Sequence, residues 1–133
     1  MNMKLRTILA LLIVGALPVF SLYWAQSVGG NISEVEKAVK LALSFIKNGP
    51  TFSFDGILGT LSAVKTDVLE SHPPQYSVTI RFDSSHSGYG NRTGQILLQV
   101  ITHHTAVVRV IDGRVVSAII GPWDELHQRY LPD

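Results

Sequence analysis

The hydrophobic pattern of this 133-residue chain changes period along its length. Thr7 to Trp24 is an apolar run without a charge, preceded by Lys4 and Arg6. Beyond a short polar stretch, Val35, Ala38, Val39, Ala42, Phe45 and Ile46 recur at helical spacing, while Glu36, Lys37, Lys40 and Lys47 face away. Ser33-Glu34-Val35-Glu36 fits a capping box ahead of that stripe, and Gly49-Pro50 stops it. The spacing predicts a helix from about 34 to 48 with one buried face.

From Thr51 to Gly121 the pattern is that of strands and turns. Phe52 and Phe54 predict a short strand ending at Asp55-Gly56. Leu61 to Leu69 reads as a second strand, bulged near Gly59. Ser71-His72-Pro73-Pro74 is a turn, because proline removes a donor and restricts its predecessor. Tyr76, Val78, Ile80 and Phe82 alternate with Ser77, Thr79 and Arg81, a half-buried strand. After a loop from Asp83 to Gly94, a further strand is expected from Gln95 to Thr102. Asp112-Gly113 is a two-residue hairpin signal between two apolar strands.

That turn sets Val110 opposite Val115, Val108 opposite Ser117 and Ala106 opposite Ile119 on one face. A three-residue turn at His103-His104-Thr105 adds Ile96, Leu98 and Val100 to it. This face is the expected core, covered by the helix. The opposite face carries Ser77, Thr79, Arg81, Gln95, Leu97, Gln99, Ile101, Val107, Arg109, Ile111, Arg114 and Val116, a mixture that is neither a polar surface nor a second core. After Gly121-Pro122, the stripe Trp123, Leu126 and Tyr130, with Asp124 and Glu125 in a first turn, predicts a short C-terminal helix. The expected fold class is α+β: one helix on a 4–5-stranded antiparallel meander sheet closed by that short helix, preceded by a transmembrane or signal helix.

The apolar run sets the compartment. Its eighteen residues span about 27 Å as a helix, close to the ~30 Å of a bilayer core. The cations before it keep the N-terminus cytoplasmic and export the rest, and Tyr23 and Trp24 suit the interface. Cleavage at Val19-Phe20-Ser21 is the alternative, giving a secreted domain. The chain then divides into a signal anchor or signal peptide over 1–25, a linker over 26–32 and a single extracytoplasmic domain over 33–133. Having no cysteine, it forms no disulfide and carries no lipid-bearing cysteine. Beyond Arg6 there are nine lysines and arginines against ten acidic residues, so the basic excess of a nucleic-acid binder is absent. Sequons at Asn31 and Asn91 fall in expected loops of an exported chain and are candidate glycosylation sites.

No nucleophile elbow, zinc-protease motif or phosphate-binding loop occurs, so no catalytic residue, metal or cofactor is assigned and the expected function is not enzymatic. The leading expectation is a membrane-tethered interaction domain that contacts a protein or cell-surface partner. The contact runs through Arg81, Leu97, Gln99, Ile101, Arg109 and Arg114 on the free sheet face, a surface that also allows a homodimer. The alternative is a small-ligand or metal carrier. It uses the glycine-containing Asp83–Gly94 loop, whose amides can face an anion, with His86, Tyr89, Arg92, His103 and His104. Adjacent histidines in extended backbone point to opposite faces, so His103 and His104 are poorly placed to chelate together.

Helix-on-meander order and the hairpin Val108-Arg109-Val110-Ile111-Asp112-Gly113-Arg114-Val115 resemble the cystatin-like and PepSY-type exported domains over about residues 33–120. The Gln-x-Val-x-Gly hairpin of cystatin inhibitors has no counterpart in Gln99-Val100-Ile101-Thr102. The PepSY resemblance implies an exported or membrane-bound domain that restrains a partner such as a protease. The chain also resembles small archaeal membrane-anchored proteins.

Overall fold

The computed structural model describes residues 33–133. The expected anchor, the linker and the Asn31 sequon lie outside the described residues. Residues 35–133 cluster as one compact unit.

Helix α1 covers residues 33–48 and buries Ala38, Ala42 and Ile46, an i, i+4, i+8 stripe. The two alanines let the helix backbone come close to the sheet it covers. Gly49 then turns extended, and a second helix, α2, runs from Pro50 to Asp55. This corrects the expected strand at Phe52 and Phe54. Pro50 ends one helix and starts the next, since its missing N–H and fixed φ suit a first helical position. Phe52 enters the core edge-on to Phe82, with ring centroids 5.4 Å apart, and Phe54 stays outside. A short 3-10 turn, Leu58–Thr60, leads into the sheet.

The sheet has six antiparallel strands in sequence order: β1 (Ser62–Leu69), β2 (Gln75–Ser84), β3 (Thr102–Ile111), β4 (Arg114–Ile120), β5 (Trp123–Asp124) and β6 (Arg129–Tyr130). The expected 4–5-stranded sheet with a C-terminal helix is therefore overturned. Gly121 and Gln128 both take left-handed backbone, with φ of 56° and 54°. Those values break a helix but suit two tight turns, so residues 121–130 fold back twice as a small meander. Trp123 pairs with Ile120 on one side and Tyr130 on the other.

The expected strand from Gln95 to Thr102 is corrected as well. Only Thr102 joins the ladder, opposite Ser84, and residues 95–101 have no strand partner. His103 and His104, expected at a hairpin tip, sit inside β3 opposite Asp83 and Phe82. The connection between β2 and β3 is thus residues 85–101, a long excursion from the end of the sheet.

Two bulges set which side chains are buried. One lies between Ala63 and Lys65 in β1, several residues beyond the Gly59 expected to carry it. The other interrupts the β3–β4 ladder. Val110 faces Val115 across the Asp112-Gly113 turn, but Arg109 then faces Ser117 and Val108 faces Ala118. An extra residue, Val116, moves the alternation by one, and a one-residue slip exchanges the faces. Ala118 and Ile120 are therefore core residues, whereas Ser117 and Ile119 lie on the outer face, the reverse of the straight register. The core joins α1 and Phe52 to Val78, Ile80, Phe82, Ala106, Val108, Val110, Ala118 and Ile120.

Candidate functional site

The excursion between β2 and β3 gathers the polar residues that the fold places indoors. At its centre is Arg92, only 2% exposed. Its Nε donates to the Gly90 carbonyl, and Nη1 donates to the Ser87 and Gly88 carbonyls. Nη2 donates to the Thr51 carbonyl and to Asp55 Oδ1, both at 2.8 Å. All five guanidinium donors are thereby taken. Phe54 covers the cation from outside, its ring centroid 4.7 Å from Cζ.

The excursion therefore turns its carbonyls inward around its own cation. Amides close to the arginine are occupied too: His86 N donates to Asp55 Oδ2 at 2.8 Å and Gly90 N donates to Thr51 Oγ1 at 2.7 Å. This geometry is the inverse of an anion cradle. Gly88 and Gly90 serve close packing at positive φ. A Cβ would lie 2.9 Å from Arg92 Cδ at the first and 2.9 Å from Trp123 Cζ2 at the second.

A second layer surrounds this one. Glu125 is buried in the turn between β5 and β6, where its carboxylate accepts from the Thr51 amide, the Thr51 hydroxyl and Gln128 Nε2. Ser84 is completely buried, donates to the His86 carbonyl and accepts from His104 Nε2 at 3.0 Å. The His104 ring lies 4.9 Å from Phe82 and meets Tyr89 edge-on. Burial, and then the Arg92 guanidinium, push His104 below the usual histidine value, so the neutral imidazole fits this place. Tyr89 stacks on Trp123 and touches Tyr130, and burial raises its phenol above the ordinary tyrosine value. The indole nitrogen of Trp123 is buried without a hydrogen-bond partner.

Of the five residues expected to hold a ligand, four are thus engaged inside the fold. Arg92 and His104 are buried, His86 Nδ1 donates to Asp55, and Tyr89 belongs to the aromatic cluster. His103 alone points outward, where its Nδ1 donates to Asp83 Oδ1 at 2.6 Å across the ladder. Among the described residues, no three His, Asp or Glu side chains are grouped as metal ligands. The buried Ser84–His104 pair resembles part of a hydrolase constellation, but its hydroxyl is committed to a carbonyl and is closed to a substrate. Asn91 is exposed, its Oδ1 accepting from the Thr93 amide and hydroxyl.

The six residues expected to meet a partner divide into two groups. Arg81, Arg109 and Arg114 are exposed on the sheet, in β2, β3 and β4. Arg109 donates to Gln75 at 2.6 Å beside a hollow of about 300 Å³ edged by Leu69 and Tyr76. Leu97, Gln99 and Ile101 lie off the ladder, on the return arm of the excursion. Sequence reasoning placed Ile96, Leu98 and Val100 in the core, yet they are 104%, 72% and 55% exposed, and Ile101 is exposed beside them. The arm follows directly on the Arg92 knot: Gln95 N donates to the Arg92 carbonyl, and the Leu98 carbonyl accepts from Ser87 N. A rigid base thus presents an aliphatic segment to the outside.

The partners of Arg92, namely Thr51 and Asp55, were not legible as site residues. They lie 41 and 37 positions away, and no spacing rule connects them. An arginine amid glycines was the only hint. No protein-family model, curated protein or solved structure matches the chain.

Proposed function

We propose that this chain is an interaction domain that acts by contact, not turnover, and that its contact surface is the return arm over residues 95–101. One observation carries this reading. The aliphatic side chains of Ile96, Leu98, Val100 and Ile101 are exposed together on a segment whose base is held by a buried arginine. A folded domain gains nothing internally from exposed aliphatics at four of six successive positions, and contiguous apolar surface of this kind is the usual mark of a binding site. Each such side chain contributes about 1.5–3 kcal/mol when a partner removes it from water. The excursion could have been closed by a short turn; instead a buried ion pair organises it, as expected where a loop displays residues on a rigid scaffold.

The charge-free run Thr7–Trp24 supports a membrane tether with the domain outside the cytoplasm. Tethering raises the effective concentration of a partner in the same membrane, so a modest surface suffices. Of the sheet arginines, Arg81 lies nearest the root of the arm, opposite Thr105, whereas Arg109 and Arg114 lie toward the other end of β3 and β4.

The test replaces Ile96, Leu98 and Val100 together with serine in the full chain. The expected result is loss of crosslinks to neighbouring proteins in native membranes with the thermal unfolding midpoint unchanged, because these side chains make no core contact. An unchanged crosslink pattern removes the arm from the function.

A further inference from the structure

Strand β1 is an edge of the sheet: β2 pairs with one side of it, and no strand among the described residues pairs with the other. The alternation along β2 fixes which backbone groups β1 leaves open. The Asp83 amide donates to Thr60 Oγ1 and its carbonyl accepts from the Ile57 amide, on the side of β2 away from β3. Odd-numbered residues of β2 therefore bond toward β1, among them Thr79 and Ser77, whose partners are Lys65 and Asp67. Thr66 and Val68 consequently turn their amides and carbonyls to the open edge. Lys65 and Asp67 share the outer face, 3.6 Å apart and mostly exposed. Val64 and Val68 are each nearly half exposed. Around Thr66 the strand reads Val-Lys-Thr-Asp-Val, so valine answers valine two residues to either side and lysine answers aspartate at one.

We infer that β1 pairs with β1 of a second copy of this chain, antiparallel, about a two-fold axis at Thr66. In that register Thr66 exchanges both backbone hydrogen bonds with its counterpart, and Val64 lies opposite Val68 on each side. The bulge ahead of Lys65 bounds the ladder. Lys65 of each copy lies opposite Asp67 of the other, and all four side chains stand on one face. Their charges alternate around a square, each cation with one carboxylate on its own strand and another across the axis. This pattern commits the edge to one occupant. A strand of single charge sign meets one attraction and one repulsion there, and an uncharged strand answers neither charge. Matching both in antiparallel order takes Lys-x-Asp, which β1 itself supplies. Edge strands often carry charge that repels a second copy. Here the charges attract in the Thr66 register, whereas an axis moved to Lys65 or Asp67 sets like on like. The pairing joins two six-stranded sheets into one and does not depend on the contact role of the 95–101 arm.

The absence of cysteine makes the register directly testable, because single-cysteine variants have no background thiol. Residues opposite one another in a hydrogen-bonded antiparallel pair have Cα atoms about 5.5 Å apart, within disulfide reach. Full-length Thr66→Cys, oxidised in detergent-free lysate of the producing cells, should shift to a species of twice the chain mass. Val64→Cys produced together with Val68→Cys should do the same, while either alone should form much less. Val116→Cys, at an exposed aliphatic position on the inner strand β4, should remain monomeric. Charge reversal then tests the choice of partner. Added to Thr66→Cys, Lys65→Asp sets acid against acid and Asp67→Lys sets base against base, so each alone should lose most of the dimer. Producing the two together restores complementarity at all four positions and should recover it, which neither misfolding nor a foreign strand would do. Equal dimer from Val116→Cys would mean random collision and overturn the inference. So would absence of dimer from both Thr66→Cys and the paired valine variants. Reversals that dimerise as well as the parent, or a mixture no better than its parts, would discard pairing about Thr66.

Discussion

Arg92 Nη2 donates to Asp55 Oδ1 at 2.8 Å, with both side chains nearly removed from solvent, and this ion pair joins helix α2 to the excursion between β2 and β3. Asp55 also accepts from the backbone and ring of His86, and Arg92 accounts for four carbonyls besides. Neither charge is tolerable there alone. Replacing Arg92 with methionine keeps the side-chain length but strands the carboxylate, at an expected cost of about 3–5 kcal/mol. Urea unfolding of the full chain, followed by circular dichroism, reads that loss. Arg92→Met with Asp55→Asn should cost less than the sum of the two singles, with a coupling of about 0.5–3 kcal/mol. Additive effects would mean that the two residues act separately.

His104 gives the fold a pH dependence of definite sign. Its folded value lies below the ordinary 6.5, first through burial and then through Arg92, with Asp55, Asp83 and Glu125 acting weakly in the other direction. Between the folded value and about 6.5 the unfolded chain binds more protons than the native one. His104 therefore contributes its full stability above about pH 6.5, and that contribution declines as pH falls from there to the folded value. Asp124, held below its usual range by the His127 hydrogen bond, acts in a separate window under pH 3.8. In His104→Gln, which keeps an amide donor for Ser84, the slope of unfolding free energy just below pH 6.5 should flatten. An unchanged slope in pH-resolved thermal melts would assign the dependence to another group.

Gly90 connects the knot to the C-terminal turns. Its φ is 69°, and a Cβ there would meet the Trp123 ring at 2.9 Å. Both faults appear at once in Gly90→Ala, for an expected loss of about 1–3 kcal/mol. Gly94, at φ 81° with nothing within 4 Å of a Cβ, carries only the first. Gly94→Ala should accordingly lose clearly less, and equal losses in thermal melts would show that contact with Trp123 is unimportant.

The elements that follow one period were legible from sequence. The α1 stripe repeats every three to four residues, and Tyr76 to Phe82 alternates strictly, because each buries one side against one core. The Asp112-Gly113 turn was legible for a different reason, since both residues take positive φ, at 54° and 73°. What failed is what periodicity does not encode. Ile96, Leu98 and Val100 alternate as a core strand does, yet no strand is left to pair with them, because β2 has already taken Thr102, His103 and His104. Trp123, Leu126 and Tyr130 have helical spacing, but the left-handed backbone at Gly121 and Gln128 puts Trp123 and Tyr130 in two short strands and Leu126 in the turn between them. The Arg92–Asp55 pair depends on contacts between distant positions, which no local pattern carries.

The bulge in β4 yields a test of register that needs no ligand or partner. In a straight hairpin from Asp112-Gly113, Ser117 would face Val108 in the core and Ala118 would face outward. The structure inverts this: Val108 faces Ala118, which is completely buried, and Ser117 lies opposite Arg109 on the outer face. A carboxylate is a sensitive probe of the difference, because burying one without a partner costs several kcal/mol, whereas a partly exposed one beside an arginine is tolerated. Ala118→Asp should abolish cooperative unfolding or prevent folding. Ser117→Asp should stay within about 0.5 kcal/mol of the parent, as ordinary surface changes do. The reverse ranking in urea titrations would restore the straight register. It would also return Ser117 and Ile119 to the core and leave Ala118 and Ile120 on the face shared by Arg109 and Arg114.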